Sequence, residues 1–179
     1  MISPDYVRLM AAYTRWQNRS LYTAAASLDD GERRRDRGVF FGSIHATLNH
    51  VLWGDQTWMH RLAGTPAPAE ASISDSVAQF ETWDALCEAR KGMDEAIADW
   101  AERVTADDLG GELGWYSGAL GRDVRRPRWT LVVQLFNHGT HHRGQVHAML
   151  TAAGAKPEDT DVQFMPDAFH EIGRASCRE

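Results

Sequence analysis

The residues of this chain best suited to chemistry stand in one block, Asn137-His138-Gly139-Thr140-His141-His142-Arg143-Gly144-Gln145. His138 and His142 are four apart, so on a helix they lie one turn apart, about 6 Å along the axis and on one face. Two imidazoles so placed can share one metal ion, because neutral imidazole is a favoured ligand of Zn²⁺, Ni²⁺, Cu²⁺ and Fe²⁺. Advancing about 100° per residue puts His138, His142 and Gln145 on the stripe of Leu131, Leu135 and Met149, the side that turns into the core. Buried imidazoles need partners. A shared metal meets that need, and so do hydrogen bonds to neighbouring helices; an i, i+4 pair without the full HExxH motif does not choose between them. His141 points away from the pair and reads as a flanking group or a donor to it.

A third ligand must come from another element, and the candidates are His45, His50, His60 and His147. His147 falls on the far side of the same helix, and His60 near the end of its own. His50 lies off the main apolar stripe of its helix, among Ala46, Thr47, Gly54 and Thr57, small residues that leave room for a metal and a substrate. Asp55 lies on the apolar stripe, where a carboxylate must be paired, either with a ligand imidazole or in a core ion pair.

The helices that must position these groups follow from periodicity and punctuation. Ser3 as N-cap and Pro4 at the first helical position open a helix that runs to about Leu28. Ser43 opens a second, ended by Gly64 and Pro66. Apolar spacing predicts a third from Ser74 to Val104, with Gly92 as a point of weakness. Thr130 opens a fourth that stops at Gly154, with Pro157 following. Between Leu109 and Arg128 the chain is rich in Gly and aromatic residues and reads as a loop or short hairpin. The expected fold is all-α, an antiparallel four-helix bundle with an irregular Gly-rich segment before the last helix.

At 179 residues the chain fits one domain, expected over 1–170. With 43% hydrophobic and 25% charged residues it is neither disordered nor a disulfide scaffold. A net charge of −6 gives no global attraction to a polyanion, so nucleic acid is a poor partner. The Arg clusters at 33–37 and 122–128 read as solvated loop charge, with the second as a minor candidate for holding a carboxylate or phosphate. Two cysteines, Cys87 and Cys177, make no disulfide framework, and Met1–Asp5 does not start a secretory signal; both point to the cytoplasm. The longest uncharged run, 38–54, is too short and too polar to span a membrane. Residues 171–179 resemble the translation of a sequencing adapter and read as a non-native tail, Cys177 included.

Leu48-Asn49-His50-Val51-Leu52-Trp53-Gly54-Asp55-Gln56-Thr57-Trp58, taken with His138-Gly139-Thr140-His141-His142-Arg143-Gly144-Gln145, resembles the DinB/YfiT-like family of small four-helix-bundle metalloproteins. The resemblance implies that His50, His138 and His142 bind a divalent metal ion, one of Zn, Ni, Fe or Mn. Three protein ligands leave a coordination position open, as catalytic sites do. Relatives of the family include enzymes that use a low-molecular-weight thiol, so the resemblance implies a thiol-dependent S-transferase or hydrolase acting on a small molecule. Asp55 and Gln145 are then the candidates for orienting a ligand or substrate, and Trp53 and Trp115 for pocket walls. The resemblance also implies a homodimer. The alternative from a different class is a non-catalytic, stress-associated metal-binding protein.

Overall fold

A computed structural model describes residues 2–70 and 72–170, and the expected tail at 171–179 lies outside them. Four long helices dominate: α1 (Pro4–Ala26), α3 (Ile44–Ala63), α4 (Trp83–Arg103) and α5 (Arg128–Ala152). Two short helices, α2 (Asp30–Arg34) and α6 (Asp167–His170), and the 3-10 turns Ser76–Ala78 and Val162–Phe164 fill the connections. The caps of α1 and α3 are those the sequence announces. Ser3 Oγ accepts from the Tyr6 amide and Ser43 Oγ from the Ala46 amide, each at 3.2 Å. Gly64 ends α3 in the left-handed region at φ 71°, a conformation open to it because it lacks a Cβ.

Three expectations need correction. The chain is mostly helical but not all-α, because Glu112–Ser117 (β1) and Arg122–Pro127 (β2) pair as an antiparallel hairpin. Its alternation is real but spread thin: Leu113 and Trp115 turn toward the core from β1, while Val124 alone is buried on β2. Gly121, at φ 62°, serves the turn. Next, α4 starts at Trp83 rather than Ser74. Thr82 Oγ1 caps it, and the preceding residues satisfy their polar groups locally, Ser72 to Asp75 and Ser76 to the Ile73 carbonyl. The Phe80 amide is taken by Asn49 of α3, which keeps this stretch out of the helix. Finally, α5 starts directly from β2 at Arg128, and Thr130 Oγ1 donates back to the Pro127 carbonyl instead of capping. Gly92 sits in an uninterrupted α4.

Helix α3 packs on α5 and α4, and α1 packs on α4 and α5. Their buried apolar residues fall into two large clusters. One gathers Val7, Met59, Leu62, Ile97, Leu131 and Leu135. The other gathers Leu21, Ile44, Leu48, Leu86, Val146 and Leu150. Between the two, each long helix contributes buried polar side chains: Asn18 from α1, His50 and Asp55 from α3, Arg90 from α4, and His142 and Arg143 from α5. A polar layer thus crosses the middle of the helices. Among the described residues no helix is long and apolar enough to cross a membrane.

Candidate metal centre

The polar layer holds two distinct constellations, and the one between α3 and α5 is built from imidazoles. His50 comes from the second turn of α3, while His138 and His142 come from successive turns of α5. One ligand-capable atom from each lies within 4.8 Å of the others. The ring centroids of His138 and His142 are 4.6 Å apart, and those of His50 are 5.1 and 4.8 Å from them. His50 Nε2 stands 3.2 Å from His138 Nε2. Two nitrogens bound tetrahedrally to one ion at 2.0–2.1 Å would stand about 3.3 Å apart, so this spacing fits a shared ion.

Hydrogen bonds fix which nitrogen faces inward in two of the three rings. Ser76 Oγ donates to the Ile73 carbonyl at 2.6 Å, so its lone pair is left to accept from His50 Nδ1–H at 2.8 Å. His50 Nε2 therefore carries a lone pair toward the cluster. His142 Nδ1–H likewise donates to Gln145 Oε1 at 2.8 Å, which leaves its Nε2 free to bind. Gln145 Nε2 in turn donates to His141 Nε2 at 3.3 Å, which makes the exposed His141 a support for the glutamine. Partners of this kind hold a ligand ring in one tautomer and orientation. His138 Nδ1 is buried without a partner.

Burial, followed by the neighbouring imidazoles, pushes the His50 pKa down to about 3. Burial, then His142, brings His138 down to about 4, and burial also lowers His142. All three rings are neutral at neutral pH, as ligands must be. A small residue makes the cluster sterically feasible: a Cβ on Gly54 would stand 2.5 Å from His138 Cε1. On the other side the Phe41 ring stacks on His50, centroids 3.9 Å apart at 30°, and lies 5.4 Å from His142. Phe40 beside it is 82% exposed.

The remaining candidates separate cleanly. Trp53 stacks near His50 at 5.7 Å and 27°, so it does wall the cluster. Trp115 does not: it packs edge-on to Trp58 at 5.7 Å and under Arg61, against the apolar cluster. Asp55 forms the second constellation. Its Oδ2 accepts from Arg90 Nη1 at 2.6 Å, and Arg90 Nη2 lies 2.9 Å from Asp94, which accepts from Asn18. The core ion pair is thus the role the structure gives Asp55. His45 bonds the Phe80 carbonyl and His60 the Thr65 carbonyl, both outside the cluster. Arg122–Arg128 extends through β2 into the first residue of α5, and Arg125 lies 3.7 Å from Glu112. Sequence reasoning missed Phe41 and Ser76, both in connections with no periodicity to mark them.

A family model described as the DinB family matches residues 1–173. Protein DinB of Bacillus subtilis (strain 168) is similar to the chain, 25% identical over 164 residues that cover 88% of this chain and 91% of its own length.

Proposed function

The chain belongs to the DinB family, and on that premise we propose that it is a metal-dependent enzyme, a thiol-dependent S-transferase or hydrolase acting on a small molecule. The observation that carries this reading is the convergence of His50, His138 and His142 with two of the three rings held so that Nε2 turns inward. Their donor set suits a divalent ion such as Zn, Ni, Fe or Mn. When bound, such an ion supplies Lewis acidity and lowers the pKa of a water or thiol taken into its remaining position.

The chain's own residues prepare that chemistry. Ser76 and Gln145 hold two ligand rings against rotation, and burial keeps all three imidazoles unprotonated. Phe41 and Trp53 cover His50 and limit water on that side. The free thiol of the described residues, Cys87, belongs to α4, and burial raises its pKa, which leaves the attacking group to a cofactor thiol or water. The four long helices serve as the antiparallel bundle of this family in a domain spanning 1–170. A cytoplasmic homodimer completes the reading, and light scattering tests the oligomer.

Elemental analysis of the chain purified without a His tag tests the site. About one divalent ion per chain, lost in both His138→Ala and His142→Ala with helical content unchanged, supports it; an ion retained in both variants overturns it. Turnover is tested by offering low-molecular-weight thiols and electrophiles to the loaded protein. A second reading, a non-catalytic stress-associated metal-binding protein, draws on the Phe41 ring lying over His50 and His142. It expects the loaded protein to gain stability and to show no turnover with any thiol.

A further inference from the structure

The described residues also form a cavity that the three histidines do not border. That cavity is a groove of about 670 Å³ between α1 and α4, with Ala168 and Phe169 of α6 along one side. Its volume is that of a small-molecule site. All of its lining comes from α1, α4 and α6, whereas the imidazoles belong to α3 and α5.

Two features of the lining point to a ligand. Tyr22 is 9% exposed, yet its buried hydroxyl has no hydrogen-bond partner among the described residues. Such a group is costly to leave unpaired, and native structures seldom do so. Burial raises its pKa, so at neutral pH it is a donor in search of an acceptor. Arg90 carries no acceptor and Asn18 gives its Nδ2–H to Asp94, and neither bonds the Tyr22 hydroxyl. The second feature is charge. The exposed charged side chains of this groove are Arg15, Arg19, Lys91 and Glu95, with the part-buried Asp94 beside them; Arg19 lies 3.6 Å from Glu158 and Lys91 3.9 Å from Glu88, exposed pairs of little strength that leave the cations able to turn to a ligand. The Arg19 guanidinium lies 4.5 Å over the Phe169 ring, and Ala26 and Cys87 add apolar surface.

We propose that this groove binds a small organic anion with an aromatic or other apolar body, its carboxylate drawn by Arg15, Arg19 and Lys91 and accepting from the Tyr22 hydroxyl. The proposal is independent of the metal reading. The probe is 4-fluorophenylacetate, followed by fluorine NMR on the full chain. Saturable binding is expected with a dissociation constant on the order of millimolar or lower. Thr23 of α1 is an exposed lining residue of the groove, so Thr23→Trp, which sets an indole there, should abolish binding, and Arg19→Gln should weaken it at least about threefold. Tyr22→Phe should weaken it about three- to tenfold, the worth of one hydrogen bond. The uncharged 4-fluorophenylacetamide should bind more weakly than the anion. Affinity should be the same in His142→Ala, where the metal centre is dismantled. Absence of saturation, binding indifferent to both Thr23→Trp and Arg19→Gln, an amide as good as the anion, or loss of binding in His142→Ala would each overturn the proposal.

Discussion

His50 and Asp55 lie on the same helix, both buried, and the protein completes them in opposite ways. Asp55 is 2% exposed and is closed by Arg90, which Asp94 and Asn18 extend into a network of fixed charges. Each carboxylate there meets a guanidinium donor, and Asp94 an amide donor as well, among the described residues. His50 is 3% exposed, and only its outer nitrogen is closed, by Ser76; its inner nitrogen faces two other imidazoles. One constellation pairs its charges within the protein and ties α1, α3 and α4 together. The other converges three neutral nitrogens on a common point. A buried ion pair needs both members to stay, whereas a cluster of neutral rings tolerates the loss of one. Stability and ligand binding are therefore expected to separate between the two.

The largest expected effect breaks the ion network. Asp55→Ala leaves Arg90 buried without its nearest partner and should destabilise the protein by about 3–5 kcal/mol, read by urea denaturation. The same measurement on His142→Ala should give a much smaller loss, and an equal loss would erase the distinction between the two regions. Next in size is the response to acid. The folded pKa values of His50 and His138, about 3 and about 4, lie below the unfolded value of about 6.5. Below that unfolded value the unfolded chain binds more protons, so metal-free stability should be complete above pH 6.5 and fall as pH drops toward 4. Denaturant midpoints of the metal-free protein across that window check this, and His50→Phe should flatten the slope.

Smaller effects sharpen the contrast within the imidazole cluster. Gly54→Ala forces a methyl against His138 and should cost about 1–3 kcal/mol by overpacking, with metal affinity falling alongside. Gln145→Met removes the acceptor that orients His142. It should lower metal affinity about 10- to 100-fold, measured by chelator competition, while the denaturant midpoint of the metal-free protein stays nearly unchanged.

Much of this arrangement was legible in the residues. Ser3, Ser43 and Gly64 marked helix ends because capping depends on a single side chain or a single φ angle. His138 and His142 fell on one face because that follows from helical spacing alone. The start of α4 was not legible from apolar spacing, because Asn49, from a distant helix, takes the Phe80 amide. The stretch from Leu109 to Arg128 read as a loop or a short hairpin, and the structure shows the hairpin; residue types did not choose between the two because glycines and arginines mask a period of two that only Leu113, Trp115 and Val124 express.

The sequence by itself determined the four long helices, the membership of His138 and His142 in one stripe, and the set from which a third ligand could come. Local hydrogen bonding and helical periodicity act over a few residues, and the chain states them directly. Tertiary structure decided that the third ring near them is His50 rather than His45 or His60, that Asp55 pairs with Arg90, and that Phe41 and Ser76 frame the cluster. Those outcomes depend on how α3 and α5 are rotated against each other. That rotation is set by the apolar clusters on either side of the polar layer, through contacts between residues far apart in the chain.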